Sequence, residues 1–224
     1  MAEEPVFSVR GLVHRYRTPS GDVTALHGIN LDVPADGLTV LAGPSGSGKS
    51  TLLRLLGLAE RPTQGRMLLR GKDTTKLDTR GRRALRKRVH LLFQNPVDNL
   101  FDYLSVRENL RAAAQLAGRP DPGVELLDRL GLPGTADWAV SALSGGQQQR
   151  LALLTALAAG ADVVLADEPT SQLDARSGEL VVATLGDLVG LGVTVVVASH
   201  DDAVLAGATR VIRILDGRLV GETR

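Results

Sequence analysis

The stretch that decides the fold is Gly43-Pro-Ser-Gly-Ser-Gly-Lys-Ser-Thr51, which lies between the apolar run 38–42 and the leucine-rich run 52–56. It fits the phosphate-binding loop pattern G-x-x-x-x-G-K-[ST], with a strand expected before it and a helix after it. A polyphosphate needs many donors at close range, and glycines let backbone N–H groups point inward with no Cβ atom in the way. The helix expected to begin near Gly48 directs the positive end of its dipole at the same anion. We therefore predict a polyphosphate site here; the alternative is a glycine-rich turn that carries a surface lysine.

The polar side chains at the end of the loop have separate predicted roles. Lys49 would bridge the β- and γ-phosphates of a nucleoside triphosphate, the Ser50 hydroxyl would complete the Mg²⁺ shell, and Thr51 would add a hydroxyl to the α-phosphate. The predicted binding residues of the loop are Gly43, Pro44, Ser45, Gly46, Ser47, Gly48, Lys49, Ser50 and Thr51.

The composition limits the class of protein. A chain of 224 residues, 43% of them hydrophobic, suits one globular domain with room for a modest insertion. The net charge of +1 gives no global preference for nucleic acid or membrane. Cysteine is absent, which excludes disulfides and thiol-ligated metals. No apolar run approaches the ~20 residues of a membrane helix, and the N-terminus lacks the pattern of a signal peptide. We therefore expect a soluble protein that meets a membrane only through a partner.

Two carboxylates follow an apolar strand in Val163-Val-Leu-Ala-Asp167-Glu168-Pro169. Burying paired charges without a cation is costly, so a use for them is expected. In phosphate-loop enzymes the first carboxylate holds Mg²⁺ and the second is the general base that takes a proton from the attacking water. We assign these roles to Asp167 and Glu168.

Two more polar residues follow apolar strands of the predicted parallel sheet. Gln94 comes after the run 89–93, and His200 comes after the run 193–198. In open parallel sheets the carboxyl edge is where ligands bind, so both belong with Asp167 and Glu168. Taken alone, a single histidine at a strand end is more often structural.

The N-terminal part has β-like character at 7–9 and 24–33, which predicts an antiparallel flank to the parallel core. Tyr16 lies between these runs, on a segment rich in Arg, Pro, Ser and Gly that reads as a loop. Its ring is a candidate to stack on adenine; the alternative is that it packs on its own domain.

From about residue 95 to residue 157 the chain reads as helical, which predicts an inserted subdomain within the core formed by 1–94 and 158–224. A capping box at Ser105 begins one helix, which Gly118 can end, and Asp121-Pro122 is predicted to begin another, which Gly131 can end. Nothing between 95 and 143 has catalytic spacing, so contact with a partner is the expected task. The basic cluster at 80–88 is expected to be a solvated helix face; the alternative is that it contacts phosphate or a lipid headgroup.

A second predicted anion site lies at Leu143-Ser-Gly-Gly-Gln147. Ser144 and Gln147 form a capping box, and Gly145 and Gly146 leave the first-turn N–H groups accessible to something negative. The alternative is simply a well-capped helix.

Together these residues resemble the ATP-binding cassette (ABC) ATPase family over essentially the whole chain. The family's motifs occur in order: the aromatic Tyr16, the Walker A loop, Gln94, the signature Leu143 to Gln147, Walker B with Asp167 and Glu168, the turn Ser171 to Asp174, and His200. The resemblance implies an α/β fold with a phosphate-loop NTPase (RecA-like) core, a mostly parallel sheet, an antiparallel β flank and an inserted α-helical subdomain. It implies ATP and Mg²⁺ as cofactors, with Mg²⁺ ligands at Ser50, Gln94 and Asp167, and catalytic roles for Glu168, His200, Gln94 and Lys49. It also implies adenine stacking by Tyr16 and contacts to ATP from Ser144, Gly145, Gly146 and Gln147 across a head-to-tail dimer.

The family resemblance gives an expected function. We expect an ATPase subunit that powers a separate membrane permease, sits on the cytoplasmic face of the membrane through that permease, and pairs with an identical or paralogous cassette; no direct nucleic acid contact is expected. A non-transport ABC ATPase acting on DNA or ribosomes is the alternative, although the segment after Gln94 has no long heptad coiled coil and the chain has one cassette. A regulatory scaffold that never turns over is a third possibility, which the intact Glu168 and His200 disfavour.

The segment from Tyr16 to Leu26 is similar to the lipoprotein-release and macrolide-export subfamily. The chain departs from the family pattern at Thr155, Gln172 and Asp102-Tyr103-Leu104, positions that concern packing and partner contact and leave the chemistry intact.

Overall fold

The protein is described here as a computed structural model that covers residues 4–223. In chain order its elements are β1 (Phe7–Thr18), β2 (Gly21–Val33), β3 (Leu38–Ala42), α1 (Lys49–Leu56), β4 (Gln64–Leu69), β5 (Lys72–Asp73), α2 (Thr79–Arg86), β6 (Val89–Leu92), α3 (Val106–Ala117), α4 (Glu125–Arg129), α5 (Gly145–Ala158), β7 (Val163–Asp167), α6 (Ala175–Gly190), β8 (Thr194–Ala198), α7 (Asp202–Ala206), β9 (Arg210–Leu215) and β10 (Arg218–Thr223).

A six-stranded sheet forms the centre of the fold, with strand order β10-β9-β3-β8-β7-β6. All neighbours from β9 to β6 pair parallel, and β10 returns antiparallel to β9 as a hairpin. Every residue of β3 and β8 is buried, as expected for strands covered on both faces. Because β3, β6, β7 and β8 run the same way, the segments that follow them reach one edge of the sheet. The predicted α/β architecture is confirmed.

A second sheet, β2-β1-β4-β5, is antiparallel, as expected for the flank. The predicted boundaries were wrong, because β1 and β2 continue until Thr18 pairs with Gly21 and no loop separates them at Tyr16. The sequence predicts a loop here because the segment is rich in Arg, Pro, Ser and Gly. In the structure Arg15 and Arg17 lie on the exposed face of the strand. On the opposite face of β1 the side chain of His14 is buried and that of Tyr16 is partly buried, so Tyr16 lies within a strand.

Apolar packing joins the two sheets through α1. Leucines of this helix are fully buried in a cluster with residues from β1, β2 and β4 and from the parallel strands. A second cluster lies on the other face of the parallel sheet, against α5 and α6. Because the first cluster packs α1 between the antiparallel sheet and the parallel sheet, the direction in which the N-terminus of α1 points is fixed.

The chain between β6 and β7 is helical, with α3, α4, α5 and two short 3-10 turns. Its apolar side chains form a third cluster, which includes Val106, Leu110, Leu132 and Leu151. The Ser105 capping box and the left-handed Gly118 bound α3 as predicted.

The helix predicted to begin at Asp121-Pro122 begins later, at Glu125. Gly123 has a φ of +74°, which no α-helix allows, and the Asp121 carboxylate accepts from the Gly123 N–H and from Arg111 instead of capping a helix. Among residues 4–223, no helix combines the length and apolar character that crossing a membrane requires.

Candidate functional site

The glycines of the loop between β3 and α1 are required by close backbone contacts. Gly43 has a φ of +155°, and a Cβ atom there would lie 2.1 Å from the Ile214 carbonyl oxygen. Gly48 caps α1 in the left-handed conformation, and a Cβ atom there would lie 2.9 Å from the Ala25 carbonyl oxygen. The loop is thus clamped between β9 and β2, with α1 beginning at Lys49 as the phosphate-loop pattern predicts.

Lys49 lies inside this loop and is 5% exposed. Its Nζ donates to the carbonyl oxygens of Gly43 (2.7 Å) and Pro44 (3.1 Å) and lies 3.4 Å from Glu168 Oε1. A buried ammonium surrounded by acceptors is a strong point charge for an anion that enters the loop.

Ser50 and Asp167 meet across 117 residues of chain: the Ser50 hydroxyl donates to Asp167 Oδ1 at 2.8 Å. Burial raises the pKa of the Asp167 carboxyl above its usual range, the Ser50 hydrogen bond opposes this rise, and the neighbouring Glu168 charge adds to it. A buried carboxylate that lacks a cation is destabilised in its charged form, and a hydroxyl and a carboxylate oxygen side by side are the ligands that Mg²⁺ prefers. The donor chemistry therefore fits a divalent cation.

Gln94 is placed at the carboxyl end of β6, as predicted. Its Nε2 donates to the Ser171 hydroxyl at 3.0 Å, and that hydroxyl donates in turn to the Glu168 carbonyl oxygen. With its amide nitrogen engaged in this way, the amide oxygen of Gln94 is left as an acceptor on the same side chain.

Glu168 has an unusual backbone conformation for a residue with a side chain. Its φ is +48°, a left-handed value that is uncommon outside glycine, and its N–H donates to the Ala198 carbonyl oxygen at 2.8 Å. The carboxylate oxygens lie 3.0 and 3.2 Å from His200 Nδ1. The strained turn thus brings the carboxylate within reach of His200, which follows β8, and of Lys49 in α1.

Most of these residues line one cavity of about 600 Å³, although Asp167 is not part of its wall. The loop residues Gly43 to Gly46 and Gly48 to Thr51, together with Gln94, Glu168 and His200, form its wall. Arg213 and Ser171 also line it, and neither was assigned to the site from the sequence. Ser171 is signalled by its place in the turn after Glu168, whereas Arg213 of β9 has no local signal, because only the strand order brings it here.

Tyr16 is adjacent to the cavity but does not line it. Its hydroxyl donates to Glu60 Oε2 at 3.0 Å and lies 3.3 Å from Thr51 Oγ1, so it is next to the residue that ends the phosphate loop.

The signature segment lies elsewhere on the chain. Ser144 caps α5 by accepting from the Gln147 N–H at 3.3 Å, and Gln147 Oε1 accepts from the Ser144 N–H at 2.8 Å, as the capping box predicts. Ser144 and Gly145 are exposed, while Gly146 is buried against Ser177 of α6. None of these residues lines the cavity that holds Lys49 in the described part of the chain.

Comparison with known proteins relates this geometry to a family. The sequence profile described as "ABC transporter" matches residues 26–171, which include the phosphate loop, the signature and both carboxylates. The chain belongs to the ABC transporter family. Family membership identifies the chain as an ATP-binding ATPase cassette.

Individual relatives agree with this assignment. The chain is 40% identical over 222 residues to macrolide export ATP-binding/permease protein MacB 2 of Aeromonas hydrophila, a match that covers 96% of this chain and 34% of the relative. It is 41% identical over 229 residues to the MacB protein of Nitrosomonas europaea, with 98% and 34% covered. The chain thus spans about a third of the length of the curated relatives it matches.

Solved structures resemble the whole chain. The dimeric post-hydrolysis state of the ATP-binding cassette MJ0796 bound to ADP and Pi superposes with a TM-score of 0.86 at 30% identity, covering 97% of this chain and 98% of that one. CbiO1 of Clostridium perfringens, part of the ABC transporter complex cbiONQ, superposes with a TM-score of 0.87 at 29% identity, covering 98% and 88%.

Proposed function

We propose that this ABC cassette hydrolyses Mg²⁺-ATP between two cassette chains and thereby drives a separate membrane permease. The observation that carries the proposal is the convergence of Lys49, Ser50 and the Glu168–His200 pair on one cavity at the carboxyl edge of the parallel sheet. Asp167 joins them through its hydrogen bond to Ser50.

The phosphate loop binds the polyphosphate. Its N–H groups and the α1 dipole surround the anion, and Lys49 exchanges its two carbonyl acceptors for the β- and γ-phosphates. Thr51 contacts the α-phosphate, and Tyr16 next to it stacks on the adenine.

Ser50, Asp167 and Gln94 are the proposed Mg²⁺ ligands. The ion, when bound, neutralises charge on the phosphate oxygens. The charged form of the buried Asp167 carboxylate, which burial disfavours, would be stabilised by such a cation.

Glu168 is the proposed general base. Its carboxylate, 15% exposed, accepts the proton of the attacking water, and His200 at 3.0 Å orients that carboxylate and contacts the γ-phosphate. Lys49 Nζ lies 3.4 Å from the same carboxylate, so the base is adjacent to the residue that binds the phosphates.

The remaining contacts to ATP come from a second chain. Ser144, Gly145, Gly146 and Gln147 form the N-terminus of a capped helix on a different surface from the Lys49 cavity, so in a head-to-tail pair each chain supplies this helix to its partner's ATP. The structure of MJ0796 that resembles this chain is dimeric and contains ADP and Pi.

The permease contact lies on the groove between α2 and α3, of about 760 Å³. Its walls carry five cationic side chains, Arg61, Arg82, Arg83, Arg86 and Lys87, and apolar residues that include Phe101 and Leu116; none of its lining residues within 4–223 is acidic. This surface suits a permease segment that presents acidic and apolar side chains. The MacB relatives combine an ATP-binding part and a permease part in one protein. We place this cassette at the cytoplasmic face of the membrane, held there by a permease.

An ATPase assay with the purified chain tests the enzymatic part. Release of phosphate should require Mg²⁺, and Lys49→Ala should abolish both ATP binding and phosphate release, whereas Lys72→Ala, an exposed lysine of β5, should behave as the native chain does. Hydrolysis that survives Lys49→Ala would refute the assignment. Identification of an integral membrane protein that co-purifies from native membranes tests the transport part.

A further inference from the structure

A polar cluster outside the cavity surrounds the hydroxyl of Tyr16. Glu60, in the loop between α1 and β4, accepts from this hydroxyl through Oε2 at 3.0 Å, and the same carboxylate oxygen lies 3.0 Å from His14 Nε2. The His14 ring meets the Tyr16 ring edge-on, with 4.6 Å between centroids and 82° between planes. Glu60 is therefore shared by two side chains from one face of β1.

The position of Glu60 does not depend on Tyr16. Its N–H donates to the Arg54 carbonyl oxygen at 3.3 Å, which ties the loop to the end of α1. Its own carbonyl oxygen accepts from Arg82 of α2 at 2.7 Å. The carboxylate thus projects from a loop that is fixed at both sides.

Two restraints then act on one aromatic side chain. The hydrogen bond to Glu60 fixes the end of the ring, and the edge contact with His14 fixes its tilt, so Tyr16 is held in a single orientation beside Thr51. Ordering a free side chain on binding costs about 0.5–1.5 kcal/mol, and a side chain that is already ordered avoids this cost.

We propose that Glu60 is a positioning residue for nucleotide binding, which holds Tyr16 in the orientation that meets the adenine ring. This inference rests on the proposed role of Tyr16 in stacking. The Glu60 carboxylate contacts His14, Tyr16 and Arg54 and not the Lys49 side chain, so its effect on the nucleotide is expected at the base end.

Two ligands that the protein does not hydrolyse distinguish binding of the base from binding of the phosphates. ADP carries the adenine base, and inorganic pyrophosphate lacks it. By calorimetric titration, Glu60→Ala should weaken ADP binding about 2- to 10-fold and leave pyrophosphate binding unchanged. Tyr16→Phe, which removes only the hydroxyl, should give the same selective loss. Because both variants break the Tyr16–Glu60 hydrogen bond, their effects on ADP affinity should be less than additive in the double variant.

Two further variants separate positioning from general stability. Glu60→Gln keeps an oxygen acceptor for the hydroxyl and should retain most of the ADP affinity. Asp73→Ala removes a carboxylate that bonds Arg66 at 2.8 Å on the same antiparallel sheet, and it should leave both affinities unchanged. If Glu60→Ala does not fold, Tyr16→Phe and Glu60→Gln still give the comparison.

The results that would overturn the proposal are distinct from failure of the stacking role. Two results would refute the positioning role of Glu60 without touching the stacking role of Tyr16. One is an equal loss of ADP and pyrophosphate affinity in Glu60→Ala. The other is full ADP affinity in both Glu60→Ala and Tyr16→Phe, together with a loss of ADP affinity in Tyr16→Ala. Full ADP affinity in Tyr16→Ala would refute stacking by Tyr16, and the inference would fall with it.

Discussion

Glu168 adopts a left-handed backbone conformation that costs of order 1 kcal/mol, and this strain aims its carboxylate at Lys49 and His200. A strand that ended in regular geometry would direct the side chain elsewhere. The strain is thus an indication, independent of any motif, that this carboxylate has a chemical task.

Glu168→Gln should keep ATP binding and reduce turnover about 10²- to 10⁴-fold, because the amide keeps the shape and accepts no proton. Equilibrium ATP binding and steady-state phosphate release measure the two effects. Glu179→Gln, an exposed glutamate of α6, is the matched control and should hydrolyse ATP normally. Turnover by Glu168→Gln at the native rate would show that another group is the base.

Asp167→Asn should raise the free energy of unfolding in the absence of Mg²⁺ and nucleotide, by about 1 kcal/mol at pH 7. Burial raises the pKa of Asp167 in the folded state, so the native chain loses stability as the pH rises through that pKa, and a neutral amide does not. The amide oxygen still accepts from Ser50. Urea denaturation at several pH values should show the difference shrinking as the pH falls toward the usual Asp pKa of 3.8. A variant less stable than the native chain at pH 7 would contradict this.

The α2 helix belongs to the groove and not merely to the solvated surface. Arg82 is buried and donates to the carbonyl oxygens of Leu58 and Glu60, while Arg83 and Arg86 line the groove. Burial, followed by the nearby charges of Arg61 and Arg86, lowers the pKa of Arg82. An acidic partner in the groove would relieve the electrostatic repulsion between these cations.

Arg83→Glu combined with Arg86→Glu should therefore abolish capture of the proposed permease from native membranes. The basal ATPase rate of the isolated cassette should stay within about twofold, because neither residue lines the cavity that holds Lys49. Arg80→Glu, on the same helix but outside the groove, is the control and should still capture the permease. Loss of ATPase activity together with capture would indicate damage to the fold.

Local patterns predicted the parts of the fold that depend on local rules. The phosphate loop, the Ser105 and Ser144 capping boxes and the strand that ends at Asp167 are each contained in a short stretch, and each appears where it was expected. The error at Tyr16 arose because exposed arginines conceal the strand pattern. The error at Asp121 arose because a side chain that can cap a helix can also close a turn.

Contacts between distant segments were not predictable in the same way. Glu60 meets Tyr16 across 44 residues, and Gln94 meets Ser171 across 77. No spacing rule relates such positions, because the order of strands in two sheets decides which loops become neighbours. The same limit applies to Arg213 in the cavity that holds Lys49.

One chain contains both halves of the proposed catalytic site but does not bring them together. Ser144 is an exposed helix cap, and the cavity of Lys49 and Glu168 is lined without it. An exposed, capped helix N-terminus attracts an anion, and in this account that anion is the γ-phosphate bound by a second chain. Activity should then belong to the pair and not to the single cassette.

The specific ATPase activity, measured as a function of protein concentration for the native chain and Ser144→Arg, tests this claim most directly. The native activity should rise with concentration as pairs form. Ser144→Arg should bind ATP nearly as the native chain does but hydrolyse it at least ~100-fold more slowly at every concentration, because the bulky cation blocks closure and removes a γ-phosphate contact. Asp187→Arg, an equally exposed substitution on α6, should match the native curve. Full activity of Ser144→Arg at any concentration would contradict a site shared between two chains.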